Sequence, residues 1–306
     1  MVQSKPTAPP QPAPVSLDDL NRMDRSAFVG VLGEVVEHAS WVAETAFAAQ
    51  PFASLNALYA AMTGAMLQAD AERQTALIKA HPDLAGKAAR AGAITEDSKR
   101  EQSSAGLDRL SDEEFATFHK LNDAYRAKFG MPFIVAVRRH GRDSILHQFE
   151  RRLTNDAATE RAAALAEISR IIALRLDLRV AAPDRLEVHG RLSTHVLDTH
   201  RGVPAPGVTV ELLEVASSGS SRLVVRAVTN ADGRTERPLI ADRPIPIGQY
   251  ELRFDVGGYF ARLGAGVADP PFLGVVPVRF GIAEPEGHYH VPIIVTPWSY
   301  STYRGS

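Results

Sequence analysis

The feature that most constrains this chain is a change of period. Up to about Leu178 apolar residues return every three or four positions, as on one face of a helix. Beyond "RVAAPDRLEVHG" (179–190) they alternate. In "YELRFDV" Tyr250, Leu252, Phe254 and Val256 fall on one face, and Glu251, Arg253 and Asp255 on the other. "VTVELLEV" (208–215) reads the same way, and "PAPG", "SSGSS", "NADG" and "PIPIGQ" supply turns between such runs. A helical stripe and a pleated face need different partners to bury them. The pattern therefore predicts two domains, an all-α helical bundle followed by a β-sandwich, and 306 residues suffice for two cores. The expected division is a disordered proline-rich leader at 1–15, a helical domain at 16–178, a linker at 179–190 and a β domain at 191–306.

Local signals fill in the helical half. Ser16 with Asp19, and Ser111 with Glu114, have the spacing of capping boxes before "LNRMDRSAFVGVLGEVVEHA" and "EFATFHKLNDAYRAKF". "SLNALYAAMTGAMLQA" is apolar on nearly every side and predicts a central, buried helix. "DAATERAAALAEISRIIALRLDLR" predicts another long helix, and the whole predicts roughly seven or eight.

Composition excludes several classes. A net charge of −2 argues against nucleic acid as a partner, because phosphate binding needs a clustered basic surface. The absence of cysteine removes thiolate nucleophiles, disulfides and cysteine-ligated metals. No apolar run approaches the length of a membrane span, and "MVQSKPTAPPQPAPV" lacks the apolar core of a signal peptide. The expectation is a cytoplasmic protein.

In the β half the chemistry-bearing residues are scattered: His195 in "LSTHVLD", Arg234 in "NADGRT", and His288 and His290 in "HYH". A histidine that titrates near neutrality can serve as a base, and an arginine offers a fixed positive charge to a developing oxyanion. His288 and His290 would face one way on a strand, so with His195 they could equally hold zinc. "RLSTHVLDTHRGVPAPGVTVELLEV", "TNADGRT" and "HYHVPIIVTPWSYSTYRGS" together resemble the 5-hydroxyisourate hydrolase family, whose fold is that of transthyretin. The resemblance implies a homotetramer with active sites between subunits, no metal, and a catalytic set of His195, Arg234, His290 and the terminal Tyr303, Arg304, Gly305 and Ser306. It leaves open which histidine is the base. It also implies that residues beyond Ser306 would obstruct the channel. A transthyretin-like ligand carrier is the runner-up, followed by a zinc-dependent cyclic amide hydrolase.

The helical half carries "HPDLAG" (81–86), Ser98, Glu101 and Gln102 followed by "AGL", and "KFGMPFI" (128–134). These resemble the 2-oxo-4-hydroxy-4-carboxy-5-ureidoimidazoline (OHCU) decarboxylase family. The resemblance implies a catalytic His81 with Glu101 and Arg175, and a binding shell of Pro82, Ser98, Gln102 and the main chain of Phe133, Ile134, Val135, Ala136 and Val137. Arg151 and Arg152 compete with Arg175 for its role. Pro82 has the look of a first helical residue, which would put His81 at a helix N-cap and disfavour its charged form. Together the resemblances imply a cofactor-independent bifunctional enzyme of urate catabolism acting on small molecules, with neither nucleic acid nor membrane as partner.

Overall fold

The structure, a computed structural model, describes residues 13–86, 94–265 and 268–305. It divides into two compact units, Met1–Arg138 with Ile145–Glu187 and Arg139–Ser144 with Val188–Ser306. Most of the proline-rich leader lies outside the described residues.

In the helical unit, Ser16 caps α1 (Leu17–Leu20) and accepts from the Asp19 N–H. The stretch from there to residue 39 is not one continuous helix. Asn21 leaves the helix and exchanges two 2.8 Å hydrogen bonds with the backbone of Phe52, while Asp24 caps a fresh helix, α2 (Arg25–Leu32). A side chain that satisfies backbone groups elsewhere competes with helix continuation, and here it wins. Next come α3 (Trp41–Ala46), α4 (Leu55–Leu67) and α5 (Ala71–Lys79). They are followed by α6 (Glu96–Ser104), α7 (Asp112–Phe129), α8 (Arg142–Arg152) and α9 (Ala157–Arg179). α4 is less enclosed than its sequence suggests: Leu58, Met62 and Met66 are buried, but Asn56, Ala60 and Leu67 face solvent. The capping box at Ser111 and Glu114 is present in both directions, and α7 ends at Gly130, whose φ of +66° is the left-handed cap that glycine adopts without strain.

Two short strands, β1 (Val15–Ser16) and β2 (Val180–Ala181), pair in parallel and tie the start of α1 to the end of α9. The Asp184 carboxylate then accepts from the N–H groups of Leu55 and Asn56 at the start of α4. The stretch 133–137, irregular up to the 3₁₀ turn that begins at Val137, is buried, so its backbone polar groups need partners inside the protein. The Ile134 carbonyl accepts from Arg152, and the Ala136 N–H donates to Glu167. Arg152 is itself buried against Glu160, which also takes the Tyr125 hydroxyl. Arg152 is thus committed to holding this stretch, and Arg151 is exposed.

The second unit is a sandwich. One sheet has the order β10-β9-β6-β7, from Val275–Ile282, Gly248–Asp255, Thr209–Val215 and Ser221–Val228. The facing layer is built on one parallel ladder in two pieces. β3 (Gly190–Ser193) pairs with β11 (His288–His290), and β4 (Val196–Asp198) pairs with β12 (Ile293–Val295) at the same offset. β8 (Ile240–Arg243) extends the first piece, while β5 (Val203–Pro204) and β13 (Tyr300–Thr302) flank the second. The tail is therefore three short strands broken by turns rather than one continuous strand. Leu192, Val196, Leu252, Phe254, Ile293 and Val295 fill the space between the layers. Glu251, expected on the solvent face, is buried between Arg253 and Arg279, which both donate to it.

Replacing Ser111 by Ala removes one side of the capping box. It should cost the helical unit about 1 kcal/mol of stability, read as a lowered midpoint in denaturant unfolding followed by helical circular dichroism.

Candidate active sites

Arg175 organises the helical unit. On the apolar face of α9 it follows Ile168 by two turns and Ile171 and Ile172 by one, and burial of that face carries its guanidinium into the interior, where it is 4% exposed. Two nitrogens donate to the two Glu101 oxygens, each at 2.8 Å, a bidentate geometry that suits the planar guanidinium. Its third nitrogen, Nη1, reaches Glu37 at 3.4 Å, and Nη2 also reaches Ser98 Oγ at 3.3 Å. Glu37, 1% exposed, also accepts from the hydroxyls of Thr95 and Ser98 at 2.9 Å. Burial alone would raise the Glu37 pKa, but Arg175 and these hydroxyls hold it below the usual carboxylate range. Burial likewise opposes the Arg175 charge, and Glu101, Glu37 and Asp97 together more than offset it.

His81 does not cap a helix. Pro82 to Gly86 form a turn, and His81 instead follows the C-terminal end of α5, its N–H donating to the Ile78 carbonyl. Its Nδ1 is 2.9 Å from the Leu77 carbonyl. A carbonyl can only accept, so Nδ1 carries the proton and Nε2 the lone pair. Nε2 is buried and has no partner among the described residues. The ring is neutral because of burial, not because of a helix terminus: burial drives its pKa down to about 4, against the Leu77 carbonyl and with help from the Arg175 charge.

Of the expected binding shell, Ser98 and Gln102 are buried on α6, and Gln102 Oε1 accepts from the Ala85 N–H at 2.9 Å, joining α6 to the "HPDLAG" turn. Pro82 is half-buried beside His81, and residues 133–137 are buried and pinned as described. A cavity of about 220 Å³ opens on the Arg175–Glu101 pair and is lined also by Asp97, Arg100, Arg138, Leu178 and Arg179. His81 is not part of that lining. Glu37 escaped the sequence reading, although a carboxylate inside the apolar run "VVEHA" is itself a sign of a buried partner.

In the sandwich unit the interrupted ladder makes the site. Ser193 and His290 are partners across β3 and β11, so their side chains project from the same face; His195, two residues on, does too. His195 Nδ1 lies 2.8 Å from His290 Nε2, and the rings stack with centroids 4.9 Å apart. Arg234 comes alongside through a backbone bridge to His195, in a turn where Gly233 has φ +69° and a Cβ would lie 2.3 Å from the Val196 oxygen. The tail returns to the same place: the Gly305 N–H donates to the His290 carbonyl at 2.8 Å, and Arg304 lies over the Tyr289 ring. Tyr303 and Arg304 are exposed, and Ser306 lies outside the described residues. Burial lowers the pKa of both histidines; His290 and Arg234 lower His195 further, and Arg234 and His288 lower His290.

His195 and His290 face each other at hydrogen-bond distance. Two nitrogens bound to one zinc at 2.0–2.1 Å would stand farther apart, near ~3.3 Å, so this geometry is not a chelate. His288 is exposed, as is His200.

Comparison with known proteins places each unit in a family. Residues 21–177 match the OHCU decarboxylase family and residues 192–305 the HIUase/transthyretin family. The 5-hydroxyisourate hydrolase of Halalkalibacterium halodurans is 53% identical over 117 residues, 38% of this chain and 98% of the relative. The 2-oxo-4-hydroxy-4-carboxy-5-ureidoimidazoline decarboxylase of Haloferax volcanii is 40% identical over 168 residues, 55% of this chain and 98% of the relative. The chain belongs to both families, the first through its helical unit and the second through its sandwich. A crystal structure of (S)-allantoin synthase aligns over 95% of this chain and 100% of its own, with 34% identity and a TM-score of 0.50.

Arg175→Met should leave the Glu37 and Glu101 carboxylates without their cation. A loss of about 3–5 kcal/mol in the unfolding free energy of the helical unit is expected from denaturant titration; an unchanged midpoint would mean the carboxylates need no internal cation.

Proposed function

We propose that the chain is a bifunctional enzyme of urate degradation. The sandwich unit hydrolyses 5-hydroxyisourate to OHCU, and the helical unit decarboxylates OHCU to (S)-allantoin. One observation carries the reading: a single chain holds both the His81–Glu101–Arg175 group and the His195–His290 pair beside Arg234.

In the hydrolase site the neutral histidine pair takes a proton from water, the resulting hydroxide attacks the ring carbonyl, and the Arg234 charge stabilises the oxyanion. The pair then returns its proton to the departing ring nitrogen. In the decarboxylase site Arg175, oriented by Glu101 and Glu37, offers positive charge to the substrate's oxygens. The substrate supplies its own electron sink, so loss of carbon dioxide needs no cofactor. His81 Nε2 takes a proton from the substrate hydroxyl and returns it to the ring carbon from one side, which sets the hand of the product.

A cytoplasmic homotetramer assembled through the sandwich unit belongs to the same reading. Leu223, Val228, Phe272, Val275, Trp298 and Tyr300 expose apolar surface on that unit, more than isolated surface residues require. No helix among the described residues is long and apolar enough to cross a membrane.

The deciding experiment supplies purified protein with 5-hydroxyisourate made freshly from urate, and follows absorbance and circular dichroism together. Rapid substrate loss with a growing dichroic signal is expected. Rapid loss with only slow, racemic product would leave the hydrolase alone, and no acceleration would favour a carrier.

The pH dependence separates His81 from a solvated histidine. Because its pKa is lowered to about 4, the base form persists as pH falls through 6.5 and is lost only near 4. The acid limb of kcat/KM for decarboxylation should therefore lie near 4, and a limb near 6.5 would remove His81 from the role.

A further inference from the structure

We infer that Ser193 is a positioning residue of the hydrolase site: it holds His290 with the proton on Nδ1, and so makes Nε2 of His195 the base. The inference rests on reading the sandwich unit as a hydrolase.

The three side chains form a line. Ser193 Oγ is 2.9 Å from His290 Nδ1, and His290 Nε2 is 2.8 Å from His195 Nδ1. His195 Nε2 has no hydrogen-bond partner among the described residues, so it is the end of the line left for a reactant. With both rings neutral, the two facing nitrogens share one proton, and only two arrangements satisfy the line. If the proton sits on His290 Nε2, His195 must carry its own on Nε2, and no base faces the reactant. If it sits on His195 Nδ1, His195 Nε2 is a lone pair, and His290 must carry its proton on Nδ1 and donate it towards Ser193.

Ser193 favours the second arrangement. Its hydroxyl can accept, and its main chain also bonds to the His290 ring and raises that ring's pKa, as a carbonyl that accepts from it does. A carbonyl has no proton to give, so it discriminates between the tautomers. The ladder enforces this meeting, since Ser193 and His290 are register partners.

The same arrangement suits the charged state. When His195 Nε2 takes the proton of water, the Nδ1 proton of His195 can pass to His290 Nε2. His290 then donates at both nitrogens, to His195 and to Ser193. Reversal returns one proton through His195 Nε2 to the leaving nitrogen, so none is gained or lost by the pair. The charges acting on the line are Arg234, His288 and Arg191, all of which oppose its protonation. Ser193 is what works the other way.

The test uses the full-length chain labelled with ¹⁵N-histidine. Ring-nitrogen spectra near pH 8 should show Nδ1–H for both His195 and His290, assigned from single-site variants; Nε2–H on His290 would overturn the inference. Ser193→Ala should lower kcat for 5-hydroxyisourate hydrolysis by about tenfold, the worth of one hydrogen bond to a charged partner, with KM within about twofold. Its acid limb should move to lower pH, because the cation has lost an acceptor. Ser193→Thr, which keeps the hydroxyl, should restore both. An alanine variant with the parent's kcat and limb, or a threonine variant as impaired as alanine, would reduce Ser193 to packing. A parent chain with the expected tautomers but no hydrolysis would overturn the functional reading and leave the tautomer assignment standing.

Discussion

The helical unit depends on one buried cation. Arg175 is placed inside by the apolar face of α9, and once there it cannot stand alone, because an unpaired interior charge costs several kcal/mol. Glu101 answers it from α6 and Glu37 from the turn after α2, so three distant segments converge on one guanidinium. The hydroxyls of Thr95 and Ser98 take up remaining acceptor capacity on Glu37. Such a group is a weak source of stability against an apolar replacement, but it fixes geometry, because bidentate pairing tolerates little displacement. The adjoining stretch 133–137 is held by the same logic with different residues, Arg152 from one side and Glu167 from the other.

The sandwich unit places charge differently. Among the described residues its site has no deeply buried ion pair. It has a break in a parallel ladder, where strand pairing resumes at the same offset, so that alternate residues on either side of the break keep to one face. Neighbouring strands therefore deliver Ser193, His195 and His290 to one line, with Arg234 and Gly305 bridged to it by backbone contacts. Rigid backbone pairing positions the hydrolase histidines, whereas a buried electrostatic cluster positions the decarboxylase arginine. In both, burial keeps imidazole neutral, which is what a base at neutral pH requires.

Much of this was legible in the sequence because it is local. The switch from helical to alternating period, the capping box at Ser111, the extent of α9 and the turn at Gly233 follow from neighbours within a few residues. The motif residues could likewise be named, since they sit in short, chemically distinctive stretches.

What the tertiary structure decided is everything that depends on distant partners. Local spacing made His81 look like an N-cap; its actual position after α5 and its low pKa come from burial and from the Leu77 carbonyl. The break after α1 depends on Phe52, thirty-one residues away from Asn21. Arg175 and Arg152 lie on neighbouring helices with similar signatures, and only packing separates the one that faces Glu101 from the one that holds the Ile134 carbonyl. The run around Glu37 hints at a buried partner without naming it, and the tautomer of His290 has no local signature at all. Sequence periodicity records which face a residue takes; whom it meets there is set by the long-range approach of chain segments, and that is where protonation and charge are determined.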